Sequence, residues 1–150
     1  MEFCPRGDLL TWLQSQPSGR FAERQAPVIF HQMLRGGQDA TLKICDFGLA
    51  TRITRRGHHE SAHVVGKLNY MAPEVVRGDA YDPVLADVWS LGIKLFILLT
   101  GSPLSSMASA KEPAFVCVQR VGIQGVLRTM GAPGLDQHPN HCTQVTTAAF

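Results

Sequence analysis

VLADVWSLGIKLFILLT, residues 84–100, decides what kind of fold this chain makes. Val88, Trp89, Leu91, Ile93, Leu95, Phe96, Leu98 and Leu99 leave it almost no polar face. A helix that is apolar all round has to be enclosed by other elements. The pattern therefore predicts a buried helix over residues 84–100, stopped at Gly101, which takes the left-handed C-terminal position without a Cβ penalty. Lys94 falls within the apolar run, where desolvating an ammonium is costly unless its stem carries the charge out to water.

The rest of the chain is sized to cover one such helix. It has 150 residues, 45% of them hydrophobic and 17% charged, enough for one ordinary core and no more than one domain. A net charge of +2 is too small to mark a nucleic-acid or membrane-surface partner, which would call for a basic stripe or block. The longest unbroken apolar run, residues 95–99, is far shorter than a bilayer span, so no membrane crossing is expected. Cys4, Cys45, Cys117 and Cys142 are scattered without CxxC spacing. With no basic and apolar leader at the start, they read as reduced thiols in a cytoplasmic protein.

Upstream, Asp8 precedes Leu9, Leu10 and Leu13 as an N-cap precedes a short helix, and Pro17-Ser18-Gly19 ends it. A second helix is predicted over residues 22–34, with Ala26, Phe30 and Met33 or Leu34 on one face. Pro27 removes an amide donor from its interior, so the alternative is a start near Pro27. Gly36-Gly37 turns the chain, and residues 41–45 alternate as a half-buried strand. Residues 51–63 carry Arg52, Arg55, Arg56, His58, His59 and His63 and read as a solvated basic loop. Beyond Gly101 the apolar periodicity is weak apart from residues 115–118 and 121–127. Residues 105–150 are therefore expected to form a poorly ordered tail. His138, His141 and Cys142 in that tail lack a fourth ligand and read as chance clustering.

Three motifs stand in order along the chain: Asp46-Phe47-Gly48, Tyr70-Met71-Ala72-Pro73-Glu74, and Asp87-Val88-Trp89-Ser90-Leu91-Gly92. Together they resemble the C-terminal lobe of eukaryotic protein kinases over roughly residues 1–104. The Tyr-Met-Ala-Pro-Glu form is that of serine/threonine kinases. On this resemblance Asp46 holds Mg²⁺ against the phosphates of ATP, Phe47 and Gly48 set the arrangement of the loop, and Cys45 lies beside the nucleotide. Met1 falls at the gatekeeper position, the backbone of Glu2 and Cys4 meets adenine, and Asp8 approaches the ribose. Ala72, Pro73, Glu74, Asp87, Trp89 and Gly92 are structural by the same resemblance. Glu74 would pair with an Arg late in the lobe, and Asp87 would tie its helix to the catalytic loop. Thr51, Thr54 and Ser61 are candidate phosphorylation sites among basic side chains.

The resemblance also shows what is missing. The family's H-R-D-x-x-x-x-N loop belongs between His31-Gln32-Met33-Leu34 and Cys45, where this chain reads Arg-Gly-Gly-Gln-Asp-Ala-Thr-Leu-Lys-Ile. With that loop go the base for the substrate hydroxyl and the Asn for a second metal. Asp39, the acid in this gap, has neither the His-Arg frame nor the following Asn. Met1 at the hinge likewise leaves no Gly-rich phosphate cover and no strand Lys. Lys67 stands where serine/threonine kinases usually carry Thr.

The expected fold class is α+β, mainly α: an incomplete kinase-like C-terminal lobe over residues 1–104 and a divergent tail over 105–150. The implied cofactors are ATP and Mg²⁺, and the implied partner is a protein, as substrate or as binding partner. Three readings follow: an incomplete form of an active serine/threonine kinase, a non-catalytic pseudokinase-like binding module, or a product without independent function.

Overall fold

The computed structural model describes residues 4–5, 7–36, 42–52 and 66–129. In chain order its helices are α1 (Leu9–Gln14), α2 (Ala26–Leu34), α3 (Pro73–Arg77), α4 (Pro83–Thr100) and α5 (Pro113–Thr129), with short 3₁₀ turns at Phe47–Leu49 and Leu68–Tyr70. The expected helix is α4. Asp82 caps it by accepting from the Val84 amide at 2.8 Å, and Gly101 ends it at φ 81.

By length and composition α4 would suit a membrane span, which the short run at residues 95–99 did not suggest. Its packing is that of a core helix. Trp89, Ile93 and Leu95 through Leu99 are buried within one apolar cluster that takes in Leu13, Phe21, Ala26, Ile29 and Phe30. Lys94 is exposed, so the helix turns its one ammonium to water.

Smaller helices form the cover. Asp8 starts α1, one carboxylate oxygen accepting from the Thr11 amide at 2.9 Å and the other from the Thr11 hydroxyl at 2.8 Å. Leu13 is buried while Leu10 stays exposed. α2 begins at Ala26 with Pro27 in its first turn, the second of the two starts considered, because the first-turn amides of a helix have no acceptor to lose. Ala26, Ile29 and Phe30 face the core, and Leu34 does not. α2 packs on α4, and the Phe21 amide donates to the Leu98 carbonyl at 3.0 Å.

Two expectations are corrected. Residues 42–46 are not a strand, and beyond an isolated bridge at Tyr81 there is none among the described residues; Thr41 lies outside them. Alternation makes a strand only where a neighbour supplies the other half of the ladder. Here the chain is held instead by the Gln32 side chain, whose Oε1 accepts from the Leu42 amide at 3.2 Å.

The tail is the second correction, since residues 105–129 are not a poorly ordered extension. Leu104, Ala108, Phe115, Val118, Ile123 and Leu127 join the core cluster. The Phe115 ring stands edge-on to Trp89 at 6.1 Å. α4 is buried at Trp89, Ile93 and Leu95 through Leu99, and its exposed apolar residues are Val84 and Leu85 at the start. His138, His141 and Cys142 lie outside the described residues.

Candidate functional site

The segment around Asp46 is built by its own backbone. Asp46 sits at φ 63, ψ 71, the left-handed region, and is the one non-glycine residue with positive φ among those described. An L-residue held there costs on the order of 1–3 kcal/mol. Aspartate tolerates it because the short side chain bonds locally. Asp46 Oδ1 accepts from the Gly48 amide at 3.3 Å, and a Cβ at residue 48 would stand 3.3 Å from that same oxygen. Glycine leaves the carboxylate room to lie over the turn. The Ala50 amide then closes the 3₁₀ turn on the Phe47 carbonyl at 3.0 Å.

This turn lies on the surface. Ile44, Phe47 and Leu49 are 55%, 69% and 66% exposed. Phe47, which the resemblance would set into packing, faces solvent. Cys45, Asp46, Gly48, Thr51 and Arg52 are exposed as well, while Thr54, Ser61 and Asp39 lie outside the described residues.

The other two motifs are brought together. Ala72 is fully buried, Pro73 opens α3, and Glu74 sits half-buried in the first turn, the end of the helix dipole that favours an acid. The turn at Leu68–Tyr70 packs on α4, and Ser90 Oγ donates to the Tyr70 carbonyl at 2.8 Å. Trp89 and Gly92 are buried where α4 enters the core.

Among the described residues the charged members of these motifs make no contact with the partners the resemblance assigns them. Asp87 is exposed, and its carboxylate makes no hydrogen bond among the described residues. The Glu74 carboxylate has no ion pair there either, and the ion pair nearby joins Arg77 to Asp79 at 2.6 Å. Asp79 also donates its amide to the Glu74 carbonyl at 2.9 Å. Lys67 is exposed.

At the other end, Met1 and Glu2 lie outside the described residues. The Cys4 carbonyl accepts from the Gly7 amide at 3.2 Å. Both carboxylate oxygens of Asp8 are occupied by Thr11, whose amide and hydroxyl hold the Asp8 carboxyl below its ordinary value of 3.8. This is the chemistry of a helix cap.

Magnesium takes a nearly octahedral set of hard oxygen donors, including carboxylates. Asp46 offers one carboxylate, turned toward its own loop. Among the described residues no three His, Cys, Asp or Glu side chains gather as a metal site, and a magnesium ion held at Asp46 would take the rest of its shell from water and phosphate oxygens.

Sequence reasoning missed three structural contributors: Gln32 as the anchor of Leu42, Phe115 as the cover of Trp89, and the Ile123–Leu127 pair. The last two were signalled by apolar residues three and four apart, the spacing of a helix face.

The protein kinase domain family matches residues 37–146. The chain therefore belongs to the eukaryotic protein kinase family. The match runs well past Leu104, where the motifs ended the resemblance, and starts after α2. Among relatives, the probable serine/threonine-protein kinase KKQ8 of Saccharomyces cerevisiae (strain YJM789) is 33% identical over 140 residues, covering 75% of this chain and 19% of the yeast protein. Serine/threonine-protein kinase SAPK4 of Oryza sativa subsp. japonica is 34% identical over 125 residues, 68% of this chain and 34% of its own length. SRK2I of Arabidopsis thaliana is 33% identical over the same shares. The chain thus spans between a fifth and about a third of the length of these curated relatives.

Proposed function

We propose that this chain is a kinase-like module of the serine/threonine type that does not transfer phosphate by itself. One observation carries the reading: residues 35–45, between α2 and Asp46, contain no His-Arg-Asp and no following Asn. Phosphoryl transfer relies on positioning and on charge neutralisation around the phosphates, and a proton acceptor must stand within hydrogen-bond reach of the hydroxyl. Support comes from the alignments, which run over 140 and 125 residues yet take up 75% and 68% of a 150-residue chain. The relatives therefore carry stretches with no counterpart here. The exposure of Asp87 fits too, since the loop it would tie down is absent from the sequence. ATP and Mg²⁺, the ordinary cofactors of the family, are not expected to bind productively.

The test is purified full chain incubated with γ-labelled ATP, Mg²⁺ and a generic protein acceptor. The expected result is no transfer, and no rise in melting temperature at millimolar Mg-ATP, because a ligand stabilises only a fold that binds it. Labelling that disappears in Asp46→Ala would refute the reading.

A second reading, a non-catalytic module that binds a protein, draws on the exposed Ile44, Phe47 and Leu49, an apolar set of the kind that marks interaction surfaces. We place the module in the cytoplasm, with no nucleic-acid or membrane partner. The free, exposed thiols of Cys45 and Cys117 support that compartment. Pull-down with a Phe47→Asp variant as control tests the binding reading, and equal capture by both chains removes this surface as the site.

A further inference from the structure

α5 is continuous in sequence but not in backbone. Gly122, at φ 71 and ψ 167, breaks the helical path inside Pro113–Thr129. That combination of angles is open essentially to glycine alone. A Cβ built at Gly122 would meet no atom within 4 Å, so the glycine serves its angles and not a close approach.

The two sides of the break are anchored differently. Residues 113–121 bury Phe115 and Val118, and the Phe115 ring is set edge-on to Trp89 of α4. The Val116 amide donates to the Glu112 carbonyl at 3.0 Å, which ties this half to a segment that also buries Leu104 and Ala108. Residues 123–129 bury Ile123 and Leu127, with Val126 partly covered. Seven residues, about two turns, are well short of a helix that is stable alone in water.

We infer that α5 is a hinged latch, in which Gly122 uncouples residues 123–129 so that they lift off the core while residues 113–121 stay seated on α4. In an unbroken helix, releasing one end strains the ladder of the next turn. Here the ladder is already interrupted, so opening the outer half leaves the inner half's hydrogen bonds intact. The opened state uncovers the apolar surface that Ile123 and Leu127 shield, in the manner of a local unfolding unit.

Amide hydrogen exchange on the full chain tests this. The amides of Leu127 and Arg128 should exchange about tenfold or more faster than those of residues 117–119. Equal rates on the two sides of Gly122, whether fast or slow, overturn the proposal. Leu127→Ala should speed exchange in the outer half alone and leave Trp89 fluorescence unchanged, and a matching rise at residues 117–119 would show one cooperative helix. In Gly122→Ala, alanine does not hold the native angles, so residue 122 turns helical and joins the two ladders. Exchange at Leu127 and Arg128 should then move in step with residues 117–119, and a gap of about tenfold that survives the substitution also overturns the proposal.

Discussion

Gly101→Ala is expected to be among the most damaging single-atom-scale changes in this fold. Gly101 holds φ 81, and a Cβ there would stand 2.5 Å from the Gly19 carbonyl oxygen and 3.2 Å from its carbon. Two terms add. Holding alanine in the left-handed region costs about 1 kcal/mol. Relieving the collision means moving the backbone at Gly19, two residues before the Phe21 amide that donates to Leu98 at 3.0 Å. Losing that bond costs a further ~0.5–1.5 kcal/mol.

The expected total is about 1.5–2.5 kcal/mol, a substantial share of the roughly 5–15 kcal/mol that holds an ordinary domain together. For a chain of this size it corresponds to a fall in melting temperature of about 3–10 °C. Gly78→Ala is the matched control: φ is 75, but no atom lies within 4 Å of the built Cβ, so the conformational term stands alone. Urea unfolding followed by the fluorescence of Trp12 and Trp89 measures both variants. If Gly101→Ala costs no more than Gly78→Ala, the close approach to Gly19 is not real and the reasoning fails.

Four further outcomes are expected. Phe96→Ala should destabilise by about 3–5 kcal/mol because its ring, 2% exposed, would leave a cavity at the centre of α4. Lys94→Ala, on the exposed face of the same helix, should stay within about 0.5 kcal/mol, and chemical denaturation separates the two. Ser90→Ala leaves the Tyr70 carbonyl without its 2.8 Å donor and should cost ~1–2 kcal/mol, with faster proteolysis at residues 66–72 as the local readout. The cap of α1 should be acid-sensitive. The Asp8 carboxyl is lowered from 3.8 chiefly by the Thr11 amide, so its contribution is present above that value and disappears as pH falls through the lower folded one. Helix content should drop over this range in the native chain, and Asp8→Ala should abolish the part due to α1.

Local chemistry made several features legible before any coordinates. The apolar run at residues 84–100 left no polar face, so a helix there had to be internal. Asp8 ahead of three leucines announced a cap, Pro27 marked one of two possible helix starts, and the ordered trio of motifs was enough to point to the family. The cap and the proline are short-range signals, carried by residues within a turn or two of one another, and the apolar run and the motifs are read along the chain without any contact between distant residues.

Residues whose state depends on distant partners were not legible in this way. Residues 41–45 alternate as a strand does, but residues 42–46 run as irregular chain because no neighbouring ladder receives them and Gln32 captures Leu42 instead. Phe115, Val118, Ile123 and Leu127 were visible as apolar spacing in a polar segment, yet only Trp89 and the rest of the core gave them a seat. Asp87 belongs to a recognisable motif and still stands in solvent. Capping, proline placement and periodicity are settled within a few residues of backbone. Burial is settled by what the fold brings from far along the chain, and that is why tertiary structure alone decided which apolar residues are core and which motif carboxylates find partners.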